Sequence, residues 1–167
     1  VGKDISFKDL KAKYDCVYIA TGTQLPQKVN IPGESLPGVM HGIRFLKKAN
    51  THQSIEMGEN VAVIGGGNTA IDSARTALRL GAKKVTILYR RTTESMPALE
   101  GEIHEAIEEG IEIIPLVAPV RFIAGSNGHV TKVECVKMEL GEFDNSGRRK
   151  SVLVEGSNYL MDFDMVI

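Results

Sequence analysis

The sequence predicts an α/β fold: a central, mainly parallel sheet with flanking helices and a smaller antiparallel meander. Three observations carry this expectation. Val61-Ala62-Val63-Ile64 and Val85-Thr86-Ile87-Leu88-Tyr89 are short, continuous apolar runs, which suit strands buried on both faces. Between them Ala70, Ile71, Ala74, Ala77 and Leu78 recur at helical spacing, with Asp72, Ser73, Arg75 and Arg79 on the other side. Beyond Pro115 the chain changes to paired apolar runs separated by turn residues, the pattern of antiparallel strands.

Taken in order, Cys16-Val17-Tyr18-Ile19-Ala20, closed by Thr21-Gly22, is expected to be a buried parallel strand. Residues 23–41 carry Pro26, Pro32, Gly33, Pro37 and Gly38 and read as an irregular connector. Ile43, Leu46 and Ala49 predict a short helix. The unit Val61–Tyr89 is then a strand, a turn at Gly65-Gly66-Gly67, a helix and a second strand. Gly81 stands just past Leu80, where a left-handed cap favours glycine. Its length of about 30 residues is that of a right-handed βαβ crossover. A second helix after Pro97 turns Leu99, Ile103, Ala106 and Ile107 inward and presents Glu100, Glu102, Glu105, Glu108 and Glu109 outward. Its last two glutamates oppose the helix dipole. Ile111–Pro115 is expected to be a third parallel strand. Val120–Ala124 and Val130–Val136 then flank the hairpin turn Gly125-Ser126-Asn127-Gly128, and Asp144-Asn145-Ser146-Gly147 turns the chain before Ser151–Glu155.

Composition narrows the function classes. A length of 167 residues is about one domain, and the formal net charge of −1 carries no nucleic-acid footprint. No apolar run approaches the roughly 20 residues that span a bilayer, so neither a membrane nor nucleic acid is an expected partner. Cys16 and Cys135 are isolated in apolar runs and form no CxxC or zinc pattern; they read as buried, reduced thiols of a cytoplasmic protein. His41, His52, His104 and His129 are scattered, without metal-ligand spacing or a nucleophile beside them, so no metal site and no catalytic residue is assigned.

The chemistry concentrates at Gly65-x-Gly67-x-x-Ala70, directly after a strand and opening a helix. Gly65 permits the sharp turn, Gly67 lets a pyrophosphate approach the backbone, and Ala70 lets the helix pack closely on the sheet; this is the pattern of a Rossmann-like NAD(P)-binding domain. The N-terminus of the helix offers unpaired N–H groups to phosphates. Gly65, Gly66, Gly67, Asn68, Thr69 and Ala70 are therefore candidate cofactor contacts. Asn68 and Thr69 either donate to pyrophosphate oxygens or serve only as helix-start residues. At the end of the second strand an NAD site usually places an acid, whereas this chain has Tyr89-Arg90-Arg91 and no acid before Glu94. Arg90 follows Ala70 by 20 residues, and a guanidinium there grips a 2′-phosphate that a carboxylate would repel. Arg90 and Arg91 thus predict NADPH over NADH.

Several of these segments resemble one family. Tyr14–Gly22 is similar to the strand that leaves the FAD domain of disulfide-reductase-like flavoproteins, and Ile31-Pro32-Gly33-Glu34 resembles their connector. Val63–Asp72 resembles their NADPH-binding turn. Tyr89-Arg90-Arg91, Met96-Pro97-Ala98 and Glu108-Glu109-Gly110 resemble the signature of glutamate synthase small subunits, of NADPH–ferredoxin oxidoreductases and of the flavin half of dihydropyrimidine dehydrogenase. The resemblance implies NADPH bound by this chain, FAD bound mainly outside it, and an iron–sulfur cluster in a missing region. It further implies hydride transfer from NADPH to FAD, then electron delivery to a large or electron-accepting subunit.

The same resemblance divides the chain into residues 1–24 crossing from an FAD domain, 25–160 binding NADPH, and 161–167 beginning the return. The start at Val1 and the apolar finish at Met165-Val166-Ile167 predict a piece of a larger enzyme, inactive alone. Cys16–Ala20 and Met165–Ile167 are then expected to pack together or to mediate a dimer. Two other readings stay open: a self-contained NAD(P)-dependent dehydrogenase, for which no catalytic set is found, and a nucleotide-binding module without redox activity.

Overall fold

The computed structural model describes residues 2–22, 25–26, 28–143 and 147–167. The expected turn at Asp144-Asn145-Ser146-Gly147 lies, but for its glycine, outside these residues. Four helices, α1 (Phe7–Lys13), α2 (Gly42–Asn50), α3 (Asn68–Arg79) and α4 (Glu100–Glu108), accompany eight strands. The strands are β1 (Asn60–Ile64), β2 (Lys84–Tyr89), β3 (Glu112–Pro115), β4 (Val117–Ala124), β5 (Val130–Phe143), β6 (Arg149–Leu153), β7 (Tyr159–Asp162) and β8 (Met165–Val166). A 3-10 turn at Thr93–Ser95 follows β2.

The parallel sheet has the order β3-β2-β1-β8, with Val61 opposite Val85 on one side and Met165 on the other. Its alternation decides the layering. Val61, Val63, Val85, Ile87 and Tyr89 face a core shared with Phe45 of α2, Ile71, Ala74 and Ala77 of α3 and Ala106 of α4. Ala62 and Leu88 point the opposite way, into a second core with Val117, Phe122, Val130, Val133, Cys135 and Phe163. Helices α2, α3 and α4 therefore cover one face, and the antiparallel sheet covers the other. Burial on both faces produces the continuous apolar runs of β1 and β2, as expected of parallel strands.

The antiparallel sheet is built on the long β5, paired with β4, β6 and β7. It is larger than the meander expected, because β5 continues to Phe143 and β7 adds a strand. The expected boundary between residues 160 and 161 falls inside β7.

Two expectations are corrected. Cys16–Ala20 is not a strand: it has no regular structure, Cys16 is exposed, and Tyr18 and Ile19 are 90% and 68% exposed. The physical reason is the want of a neighbour. Among the described residues no strand pairs with it; beside β1 the sheet is edged by β8, whose outer side is covered too. Val166 donates to the Gly38 carbonyl and accepts from the Met40 N–H, at 2.9 and 2.8 Å. Met165–Ile167 is thus buried between β1 and residues 38–40, and does not pack with Cys16–Ala20.

Candidate nucleotide site

β1 ends at Ile64 and the chain turns at Gly65, whose φ of +133° lies where a side chain is strained. The three glycines differ in what their missing side chains leave. At Gly66 the space is filled: a Cβ there would stand 2.6 Å from Cε2 of Tyr89. Among the described residues, a Cβ at Gly65 would meet only Ala70, at 3.6 Å, and one at Gly67 only Pro97, at 3.9 Å. The backbone at Gly65 and Gly67 is therefore bare toward the outside, as close approach of a phosphate requires. Gly67 is the N-cap of α3 and supplies no side-chain cap. The N–H groups of Gly67, Asn68 and Thr69 have no acceptor among the described residues, so the helix start is an uncommitted set of donors with a partial positive charge. Ala70 is 9% exposed, packed between α3 and the sheet as its size allows.

An open cleft with a volume of about 320 Å³ adjoins this turn. Gly65, Gly67 and Thr69 line one side; His41 and Ile43, at the start of α2, and Ile167 line another. α2 comes this close because Gly42 leaves room beside Ser73, whose hydroxyl turns back to the Thr69 carbonyl at 2.6 Å. Sequence reasoning set His41 aside as a connector residue. It had no motif to mark it, since its place depends on how α2 docks on α3.

The candidate residues are not all brought together in one role. Gly65, Gly66, Gly67 and Ala70 form the turn as expected. Asn68 is exposed, and its Oδ1 accepts from the N–H of Leu99 at 3.1 Å, a role weighed by neither expectation for it. Thr69 is exposed on the cleft wall. Arg90 stands exposed just past β2 and, among the described residues, makes no side-chain hydrogen bond or ion pair. Arg91 is engaged: its Nε donates to the Arg149 carbonyl on β6 at 2.9 Å. The nearest following acid, Glu94, is occupied within its own turn. Its backbone N–H and the Thr92 hydroxyl hold the carboxyl below the usual range.

Elsewhere the structure explains the acidic end of α4. Glu109 accepts from Nε and Nη2 of Arg75 at 3.0 and 2.7 Å and from Arg79 at 2.7 Å, so cations of α3 neutralise what the dipole opposes. Among the described residues no group of His, Cys, Asp and Glu could hold a metal ion, and no helix is long and apolar enough to cross a membrane.

Comparison with known proteins agrees with this geometry. The model of the pyridine nucleotide-disulphide oxidoreductase family matches residues 3–147. The whole chain is 45% identical to the beta subunit of the NADPH-Fe(3+) oxidoreductase of Geobacter sulfurreducens, and covers 25% of it. It is 38% identical to the small chain of the NADPH glutamate synthase of Escherichia coli, covering 38% of that protein. It is 40% identical to the beta subunit of the NADP(+)-dependent formate dehydrogenase of Moorella thermoacetica, covering 24%. The chain thus spans about a quarter to two-fifths of the length of these relatives. Among solved structures, Mycobacterium tuberculosis FprA in complex with NADPH superimposes with a TM-score of 0.81 over 99% of this chain and 52% of FprA, at 22% identity. At that identity the likeness speaks for the fold.

Proposed function

Because the chain belongs to the pyridine nucleotide-disulphide oxidoreductase family, we propose that it is the NADPH-binding domain of a flavoprotein oxidoreductase. The observation that carries this is the glycine turn, bare at Gly65 and Gly67 and backed by the open donors of α3, with Arg90 exposed at the end of the adjacent strand. The pyrophosphate of the dinucleotide is held by the N–H groups of Gly67, Asn68 and Thr69, and the 2′-phosphate by Arg90. The turn then directs the nicotinamide half toward the cleft between α2 and β8. Bound NADPH supplies a hydride, which passes to FAD held mainly outside this chain. The residues here bind, orient and neutralise charge, and no general acid or base is required of them.

The names of the relatives support the wider reading, since they describe an NADPH-Fe(3+) oxidoreductase, a glutamate synthase and a formate dehydrogenase, each by one of its chains. The whole protein accordingly passes electrons from NADPH through flavin, and through an iron–sulfur centre in its other regions, to an electron-accepting subunit. Glutamate synthase is one assignment of that acceptor, and an iron- or ferredoxin-linked reductase is the other.

The test is a calorimetric titration of the chain with NADPH and with NADH, repeated on Arg90→Ala. A charge-assisted hydrogen bond corresponds to roughly 10- to 150-fold in affinity, so NADPH binding should weaken by that order while NADH binding stays unchanged. Equal affinity of the unaltered chain for both dinucleotides would overturn the assignment of the 2′-phosphate site, and binding of neither would overturn the nucleotide site.

A further inference from the structure

We propose that Leu25, Pro26 and Val29 form the wall against which the nicotinamide ring packs, and that Glu34 is the positioning residue that holds this wall in place. The proposal rests on the reading above that the glycine turn binds NADPH and directs its nicotinamide half into the adjoining cleft.

Leu25, Pro26, Val29 and Glu34 line the same cleft as Gly65, Gly67 and Thr69. Leu25 is 81% and Val29 42% exposed, so an apolar wall stands uncovered beside the turn. Such a surface suits a flat ring and offers nothing to a phosphate.

The connector that carries this wall is held in two different ways. Residues 31–37 are fixed to the antiparallel sheet. The Phe122 N–H donates to the Pro32 carbonyl and the Val130 N–H to the Pro37 carbonyl, each at 2.9 Å. Ile31 packs against the second core, and Gly33 lies so close to the Phe122 carbonyl that no side chain fits there. The wall itself has no such support. The chain bends at Asn30, whose φ of +58° lies where Asn is enriched among residues with a side chain. Among the described residues, two hydrogen bonds tie Leu25, Pro26 and residues 28–30 to the rest of the chain. In them the N–H groups of Val29 and Asn30 donate to Oε1 and Oε2 of Glu34, at 2.9 and 3.0 Å.

The charge of Glu34 agrees with this role. A free carboxylate lining a cleft for an anionic dinucleotide would repel it. Here both oxygens are committed to backbone N–H groups, so the carboxylate fastens the wall. Charge-assisted bonds of this kind are roughly twice as strong as neutral ones, which suits a segment with no other anchor.

The experiment titrates the unaltered chain, Glu34→Ala and Val29→Ser with NADPH and with 2′-phospho-ADP-ribose, which keeps every phosphate and lacks the nicotinamide ring. Amide hydrogen exchange at residues 29 and 30 is followed beside it. A contact that removes about 40 Å² of apolar surface from water corresponds to about fivefold in affinity. Both variants should lose about that much for NADPH and stay within about twofold for 2′-phospho-ADP-ribose. Glu34→Ala should also speed exchange at the two amides. The Glu34 side chain bonds only four and five residues back, so its loss leaves both cores in place, and Val29→Ser tests the wall with Glu34 intact. Equal losses for both ligands would overturn the proposal, as would tighter binding of both by Glu34→Ala. A loss for NADPH without faster exchange would make Glu34 a direct contact and overturn its positioning role. Equal affinity of the unaltered chain for both ligands would overturn the wall and leave the glycine-turn site standing. Binding of neither would overturn the nucleotide site itself, which keeps the two failures apart.

Discussion

The carboxylate of Glu109, at the C-terminal end of α4, receives Nε and Nη2 of Arg75 from α3, while Arg79 adds a third donor from the next turn. These contacts tie the two helices together on the covered face of the sheet. The Arg75 hydrogen bond is the chief cause that holds the Glu109 carboxyl below its ordinary 4.5.

A depressed carboxylate stabilises the fold above its unfolded pKa, and that contribution is lost as pH falls through the lower, folded value. Glu109→Gln should therefore lower the urea midpoint at pH 7 and make no difference well below pH 4. Denaturation curves of both proteins between pH 3 and pH 8 check this, and a pH-independent gap would count against the ion pair.

Gly66→Ala should cost about 1–3 kcal/mol of stability, the usual penalty of overpacking. The added methyl meets the Tyr89 ring, which cannot swing aside because it is buried and its hydroxyl is bonded to Ser95. Gly67→Ala, with its methyl beside Pro97 only, should leave stability nearly intact and weaken NADPH binding. Urea denaturation and calorimetry on the two variants separate a packing glycine from a contact glycine.

Arg91→Ala should act on the antiparallel sheet more than on the nucleotide. Its bond to the Arg149 carbonyl ties the end of β2 to β6. Loss of that tie should raise hydrogen exchange in residues 149–153 while the NADPH preference changes far less than in Arg90→Ala. A larger loss of preference in Arg91→Ala than in Arg90→Ala would reverse the two roles.

The two thiols should differ by orders of magnitude in reactivity. Cys135 is fully buried and burial pushes its thiol up to about 12, whereas Cys16 is exposed. At pH 8 a thiol reagent should label one cysteine at once and the second only on unfolding. Rapid labelling of both in the folded chain would place Cys135 outside the core.

The nucleotide turn was legible because its signal is local. A strand, three glycines and an apolar-faced helix are contiguous, and each residue type answers a short-range demand. Arg90 and Arg91 were legible as a pair but not as two roles, because Arg91 is claimed by Arg149 from a distant strand. Asn68 shows the same limit: its partner lies in a segment whose position only the folded chain decides. β7 went unread because Tyr159 to Asp162 is short and half polar, and α1 because no residue of it is buried. The signal for α1 was present as Ser6-x-x-Asp9, whose reciprocal capping bonds the structure contains. Cys16–Ala20 failed in the opposite sense, since an apolar run states a tendency and only a neighbouring strand makes it a strand.

The placing of β8 has a consequence for how the chain is made. Asn60, at the head of β1, is bonded to Asp164, 104 residues later. At the usual ribosomal pace of 5–20 residues per second, roughly 5–20 s separate the emergence of the two. Through that interval β1 can pair with β2, but its other flank waits, apolar and unladdered, beside the 38–40 segment that will later close on β8. Nascent chains of this protein therefore pass through a stage in which the sheet has a vacant berth at its first strand, open to any extended peptide. Residues 165–166, paired along β1, are the ones that fill it.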